Sequence, residues 1–189
     1  MPFFDLEVAA GLVFLAVGND IRIVDPLDTQ GKVDGFSARA ATRLLAPPDE
    51  SAIVASQIGN RVEANEPTRF GNLLWRSNFD SDSDTMAVTN SRVFYVMDLG
   101  FANAQLVVCQ LLSGGCVSKA QLDAASRLGA HGDHAYYSTP GDDRLRFIHV
   151  NSASPATDFW GNGKAATAFA NSGRYLYVAY PDQIIRIFR

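Results

Sequence analysis

The chain has 189 residues, 47% of them hydrophobic and 19% charged, which excludes a disordered protein and fits one well-cored domain. A formal net charge of -4, without any Lys/Arg cluster, excludes the electrostatic footprint of a nucleic-acid binder. The longest apolar stretch, Val8 to Val17, is too short to cross a bilayer and follows Asp5 and Glu7 rather than a basic signal-peptide start, so no membrane span is predicted. An export signal, if there is one, is expected upstream of Met1 or already removed.

From the N-terminus onward, apolar β-rich runs begin near Val13, Ile53, Val93, Ala135 and Tyr175, at steps of 40, 40, 42 and 40 residues. That spacing is the length of one propeller blade, about 40 residues. The units open "VFLAVGNDIRIVDP", "IVASQIGNRVEANEP", "VFYVMDLGFANAQLVVCQL", "AYYSTPGDDRLRFIHVN" and "YLYVAYPDQIIRIFR". Each is an apolar strand, a turn rich in Gly, Asn, Asp or Pro, and a second strand with period-two alternation, such as Ile21 and Ile23 against Arg22. Ahead of each lies a shorter apolar run: "LEVAAG", "TRLLAPPD", "TMAVTNS", "SRLGAHGD" and "TAFANSG". Candidates for a fourth strand follow at "KVDGFS", "RFGNLLW", "GCVSKAQ" and "TDFWGN", and no residues remain for one after the fifth hairpin.

The prediction is an all-β fold, a β-propeller of about five blade-like repeats, with residues 1–189 as one domain and units beginning near 7, 42, 85, 126 and 167. Bare sheet edges recruit other chains, so the ring is expected to close by pairing its terminal strands, Met1 to Leu6 lying beside Ile184 to Phe188. Two segments carry helix signals instead. "SKAQLDAASRLG" has Ser118 as a cap, Gln121 three residues on and Gly129 as a stop, predicting a helix over Ser118 to Ala125, and "FSARAATRLLAPP" is similar.

"VFLAVGNDIRIVD" and "RYLYVAYPDQIIRIF" resemble the repeats of bacterial β-propellers of the YVTN and LVIVD types. The resemblance covers all five units, most strongly the first, third and fifth and most weakly the second. It implies a propeller fold and a cell-surface, secreted or binding role, and it implies no single reaction. These families more often build rings of about seven blades. The second unit also places Glu63 where an apolar residue is expected.

Cys109 and Cys116 flank a Ser-Gly-Gly turn in "VVCQLLSGGCVS", and folding the hairpin about Leu112 and Ser113 sets them across from each other for a disulfide. Such a bond argues for an oxidising, extracytoplasmic compartment; a pair of reduced, partly buried thiols is the competing reading. Asp80, Asp82 and Asp84 alternate like the start of a calcium loop, but Thr85 and Ser91 stand where Gly and Glu belong, so a solvated acidic loop competes. Calcium is the one cofactor suggested. His131, Asp133 and His134 fall in a turn of the fourth unit, where two histidines and a carboxylate resemble an open metal site. Their tight spacing equally suits an Asp-Gly turn with exposed histidines. Asp142 and Asp143, with Asp98 and Asp182 in corresponding turns, are ligand-mouth candidates that also fit ordinary turn chemistry. Gly161, Gly163 and Ala166 match Gly-x-Gly-x-x-Ala outside the βαβ context that a dinucleotide site requires.

The expected function is a non-enzymatic propeller that serves as a binding or assembly scaffold for a protein partner. Two alternatives remain open: a lactone or glycoside hydrolase with acidic and His residues at one mouth, and part of a larger propeller completed by another chain.

Overall fold

In a computed structural model, which describes residues 3–30, 33–37, 41–57, 60–81, 85–100, 103–122, 126–139, 141, 144–152, 157–159, 164–172, 175–182 and 185–188, every regular element is a β-strand. The strands form five antiparallel meanders, each strand pairing with the next in sequence. The first sheet holds β1 (Phe3–Ala9), β2 (Leu12–Val17), β3 (Asp20–Val24) and β4 (Val33–Ser37). The second holds β5 (Ala41–Leu45), β6 (Ile53–Gln57), β7 (Asn60–Asn65) and β8 (Leu73–Ser81). The third is β9 (Met86–Val88), β10 (Arg92–Gly100), β11 (Asn103–Gln110) and β12 (Val117–Leu122). The fourth is β13 (Arg127–His131), β14 (His134–Ser138), β15 (Leu145–His149) and β16 (Thr157–Phe159). The fifth has three strands among the described residues, β17 (Ala168–Ser172), β18 (Tyr175–Ala179) and β19 (Ile185–Phe188).

Turn chemistry sets the registers. Ala9 pairs with Leu12, so Ala10 and Gly11 form a two-residue loop with φ of 51° and 75°, the left-handed pair that matches the twist of a tight hairpin. The β13–β14 turn closes likewise at His131↔His134, with Gly132 at φ 55°. These local closures explain why the predicted ring closure does not form. Leu6 pairs with Leu15 and Val8 with Val13, so among the described residues Phe3 to Leu6 belongs to the first sheet, whose edge strand is β1, and does not pair with Ile185 to Phe188; Met1, Pro2 and Ile184 lie outside the described residues. A two-residue loop costs far less closure entropy than pairing the two ends of the chain.

The helix predicted over Ser118 to Ala125 is also replaced, by β12 as far as Leu122, while Asp123 to Ala125 lie outside the described residues. The Ser118 hydroxyl donates to Gln105 Oε1 at 2.8 Å and Gln121 Nε2 to Asn103 Oδ1 at 3.1 Å, so both presumed capping groups bond across to β11. In "FSARAATRLLAPP", Ala41 to Leu45 is β5. Glu63 is buried as an apolar residue would be, but its carboxylate accepts from Arg76 Nε at 2.6 Å on the neighbouring strand, which offsets the burial of the charge.

The sheets pack face to face in chain order through four seams. Phe14, Ile21 and Ile23 of the first sheet meet Leu44 and Ile53 of the second. Val54, Val62 and Trp75 meet Val93, Tyr95 and Cys109 of the third. Phe94, Val96 and Leu106 meet Leu128 and Tyr137 of the fourth, and Leu145 meets Leu176, Val178 and Tyr180 of the fifth. Successive residues such as Val93 and Phe94 therefore enter opposite seams, which is why interior strands read as continuous apolar runs. Each fully buried Phe or Ile adds about 1.5–3 kcal/mol of transfer free energy.

A belt of hydrogen bonds reinforces the seams at the turns between first and second strands. Ala10 N donates to Glu50 Oε2 at 2.6 Å, Asp49 N to Asn90 Oδ1 at 3.1 Å, and Ser91 Oγ to Asp133 Oδ1 at 3.4 Å. The separations are 40, 41 and 42 residues, so each bond joins equivalent points of successive repeats.

Candidate functional site

The first strands of four sheets converge on a cleft of about 520 Å³. β5 contributes Arg43 and Leu45, β9 Met86 and Val88, β13 Leu128 and β17 Phe169 and Asn171. Its described wall is apolar apart from Arg43, Asn171 and backbone groups. Asn171 Nδ2 donates to the Ala130 carbonyl at 3.0 Å, while its Oδ1 is buried with no hydrogen-bond partner among the described residues. The cleft offers a hydrogen-bond acceptor, the Arg43 side chain and exposed backbone groups between apolar side chains. That suits binding, and no pair of carboxylates that could share acid and base roles lines it among the described residues.

The fourth sheet carries all three histidines of the chain in one cross-strand row: His131 pairs with His134, and His134 with His149. The rings of His134 and His149 lie 4.7 Å apart, edge to face, beside Phe147 and Tyr136. Partial burial pushes the His134 imidazole below its usual pKa, and the neighbouring His149 and His131 push the same way against the opposing pull of Asp133. His149 Nδ1 accepts from Asn151 N at 3.1 Å, so in the neutral ring the proton sits on Nε2. Asp133 turns to the third sheet instead, where it meets Arg92 Nε at 3.4 Å and the Ser91 hydroxyl. Thus the His131, Asp133, His134 grouping is split, and among the described residues no three His, Cys, Asp or Glu side chains are arranged to hold a metal ion.

The other predicted residues scatter. Arg92, at one end of β10, touches Asp133, whereas Asp98 lies six positions further along, about 20 Å at strand rise. Asp98 and the histidine turn therefore occupy opposite ends of the sheets, not one mouth. Asp80 lies in β8 opposite Arg61, while Asp82, Asp84, Asp142, Asp143, Gly161 and Gly163 lie outside the described residues. Asp182 Oδ2 is 4.0 Å from Lys164 Nζ.

Cys109 and Cys116 are joined in a disulfide. The loop it closes wraps Trp75 of the second sheet: the indole Nε1 donates to the Leu111 carbonyl, and Gly114 lies flat on the ring. The bond is thus built into the seam between the second and third sheets.

Sequence reasoning missed the outer face of the first sheet. Asp5, Glu7 and Ala9 point toward the second sheet, where Asp5 Oδ2 accepts from Leu44 N at 2.8 Å. The alternate residues Phe4, Leu6 and Val8 point away and are 44, 49 and 50% exposed, beside Val13 and Leu15 on the paired strand. The signal was present in "FFDLEV", where apolar and acidic residues alternate, because alternation marks a strand with two different faces.

The chain matches no family model and no curated protein sequence. Among solved structures it is similar to Hsv2 of Kluyveromyces lactis, with a TM-score of 0.69 and 15% identity, over 100% of this chain and 62% of that one. It is similar to the hydrazine synthase of Kuenenia stuttgartiensis, with a TM-score of 0.64 and 13% identity, over 96% of this chain and 63% of that one. It is also similar to BamB of Moraxella catarrhalis, with a TM-score of 0.57 and 10% identity, over 96% of this chain and 68% of that one. The chain therefore spans under two thirds of the first two, and identities this low establish the fold alone. That fold is the β-propeller.

Proposed function

We propose that this β-propeller is a non-enzymatic scaffold that binds a protein partner. The observation that carries the reading is the outer face of the first sheet, where Phe4, Leu6 and Val8 stand half-exposed in one row. A contiguous apolar strip on a sheet face is the kind of surface that a partner covers. The lack of a carboxylate among the described residues that line the cleft favours binding over acid–base hydrolysis there. The YVTN-like and LVIVD-like repeats support a surface or secreted role, and the Cys109–Cys116 disulfide is compatible with the extracytoplasmic location proposed with it.

Affinity capture with the wild-type chain and with the Leu6→Glu/Val8→Glu variant, compared by quantitative mass spectrometry, tests the reading. Proteins held by the wild type and lost by a variant of unchanged circular dichroism support it. Identical captured sets, together with turnover of a lactone or glycoside by the wild type, refute it.

A further inference from the structure

We infer that this chain assembles head to tail with copies of itself, the outer face of the first sheet of one copy seating on the outer face of the fifth sheet of the next. The inference rests on the scaffold reading and names its partner.

The seams inside the chain supply the template. Counting back from the residue that closes each first turn, Thr89, His131 and Ser172, the second position holds Ala87, Gly129 and Ala170. The third position back from His131, Ser172 and Ala9 holds Leu128, Phe169 and Leu6. The two seams that join the third, fourth and fifth sheets set the small residue of one sheet against the bulky residue of the next. Ala87 and Leu128 share one core cluster, and Phe169 lies so close to Gly129 that a Cβ there would meet it at 2.6 Å. The fifth sheet presents Ala170 at the small position, exposed, with Ala168 beside it and Tyr175 37% exposed on the paired strand. The first sheet presents Leu6 at the bulky position, 49% exposed. Among the described residues these two faces do not cover each other within one chain, so the match is made between copies.

The two faces differ, which makes the contact heterologous; repeated, it closes into a ring or extends as a filament. The proposed joint repeats the packing that already holds the third sheet to the fourth and the fourth to the fifth. No new chemistry is required of it.

Chains carrying Leu6→Cys are mixed with chains carrying Ala170→Cys and oxidised, and the linked peptides are identified by mass spectrometry. The expected product is a disulfide between the two introduced thiols, joining one copy to another, with a native mass above the monomer that rises with concentration. Leu6→Glu, checked for folding by circular dichroism, is expected to weaken this association by about 100-fold, while Leu27→Glu, at a site 87% exposed in another turn, leaves it unchanged. A monomer at every concentration without the mixed disulfide overturns the inference. So does a Leu6→Cys/Ala170→Cys chain whose bond forms only within itself. If self-association fails while affinity capture still finds a protein lost with Leu6→Glu/Val8→Glu, head-to-tail assembly is refuted and the scaffold reading stands.

Discussion

Gly114 shows how one backbone position holds a seam together. Its φ of 75° lies in the left-handed region, and a Cβ there would sit 2.6 Å from Trp75 Cγ. Gly114→Ala is therefore expected to cost about 2–3 kcal/mol by urea unfolding, through strain and displacement of the indole. Gly115→Ala, with nothing within 4 Å, should stay within about 0.5 kcal/mol. Equal losses at the two glycines would show that the loop does not press on Trp75. His134 supplies the pH dependence. Its folded pKa is lowered, chiefly by burial and then by His149, so the unfolded state takes up a proton first as pH falls. The stability it protects is complete above about 6.5 and is lost as pH drops from there through the lowered folded value. Thermal melts from pH 8 to 5 should fall in that window, and His134→Phe, which keeps an aromatic ring beside Phe147, should flatten the fall. An unchanged slope in the variant would assign the acid sensitivity elsewhere.

At the scale of elements, the Cys109–Cys116 hairpin is a staple built into the well-packed seam between the second and third sheets. It closes a loop with a sequence separation of 7, for which chain entropy predicts about 2.5 kcal/mol of stabilisation. Reduction should lower the urea midpoint accordingly and shift the emission of Trp75, whose indole bonds to the Leu111 carbonyl inside that loop. A midpoint indifferent to reductant would mean that the seam holds without the bond. Strands were the most legible elements in the sequence. The runs at Val13, Ile53, Val93, Ala135 and Tyr175 fall in β2, β6, β10, β14 and β18, because buried hairpins impose period two and turn residues at fixed spacing. The disulfide was legible for the same reason. What misled was chemistry with two uses: Ser118 and Gln121 cap helices, yet the same groups bond across strands to Gln105 and Asn103. The site was legible only in fragments. His149 lies fifteen residues from His134 and joins it only through strand register, which no local motif announces. The exposure of Phe4, Leu6 and Val8 depends on what covers a sheet, and a strand's own pattern does not carry that information.

For the whole molecule, the decisive fact is that the second, third and fourth sheets are covered on both faces and the first and fifth on one. Stability in such an array is close to a sum of sheet terms and seam terms between neighbours. Opening an end sheet breaks one seam, whereas opening an interior sheet breaks two, so protection should rise from the ends toward the middle. Native-state hydrogen exchange at low protein concentration should find the slowest amides in β10 and β11, where Val93 to Val96 are fully buried, and exchange about 100-fold faster in β1 and β18. Uniform protection across all five sheets would show one cooperative unit and dissolve the picture of separable seams. The gradient also reads out the assembly inferred above. If the outer faces of the first and fifth sheets meet between copies, each end sheet gains a second seam, and its amides should slow as concentration rises while those of β10 do not. Slowing confined to the end sheets would place the contact on the faces that carry Leu6 and Ala170, since no other described surface of the molecule adds a seam to both sheets at once.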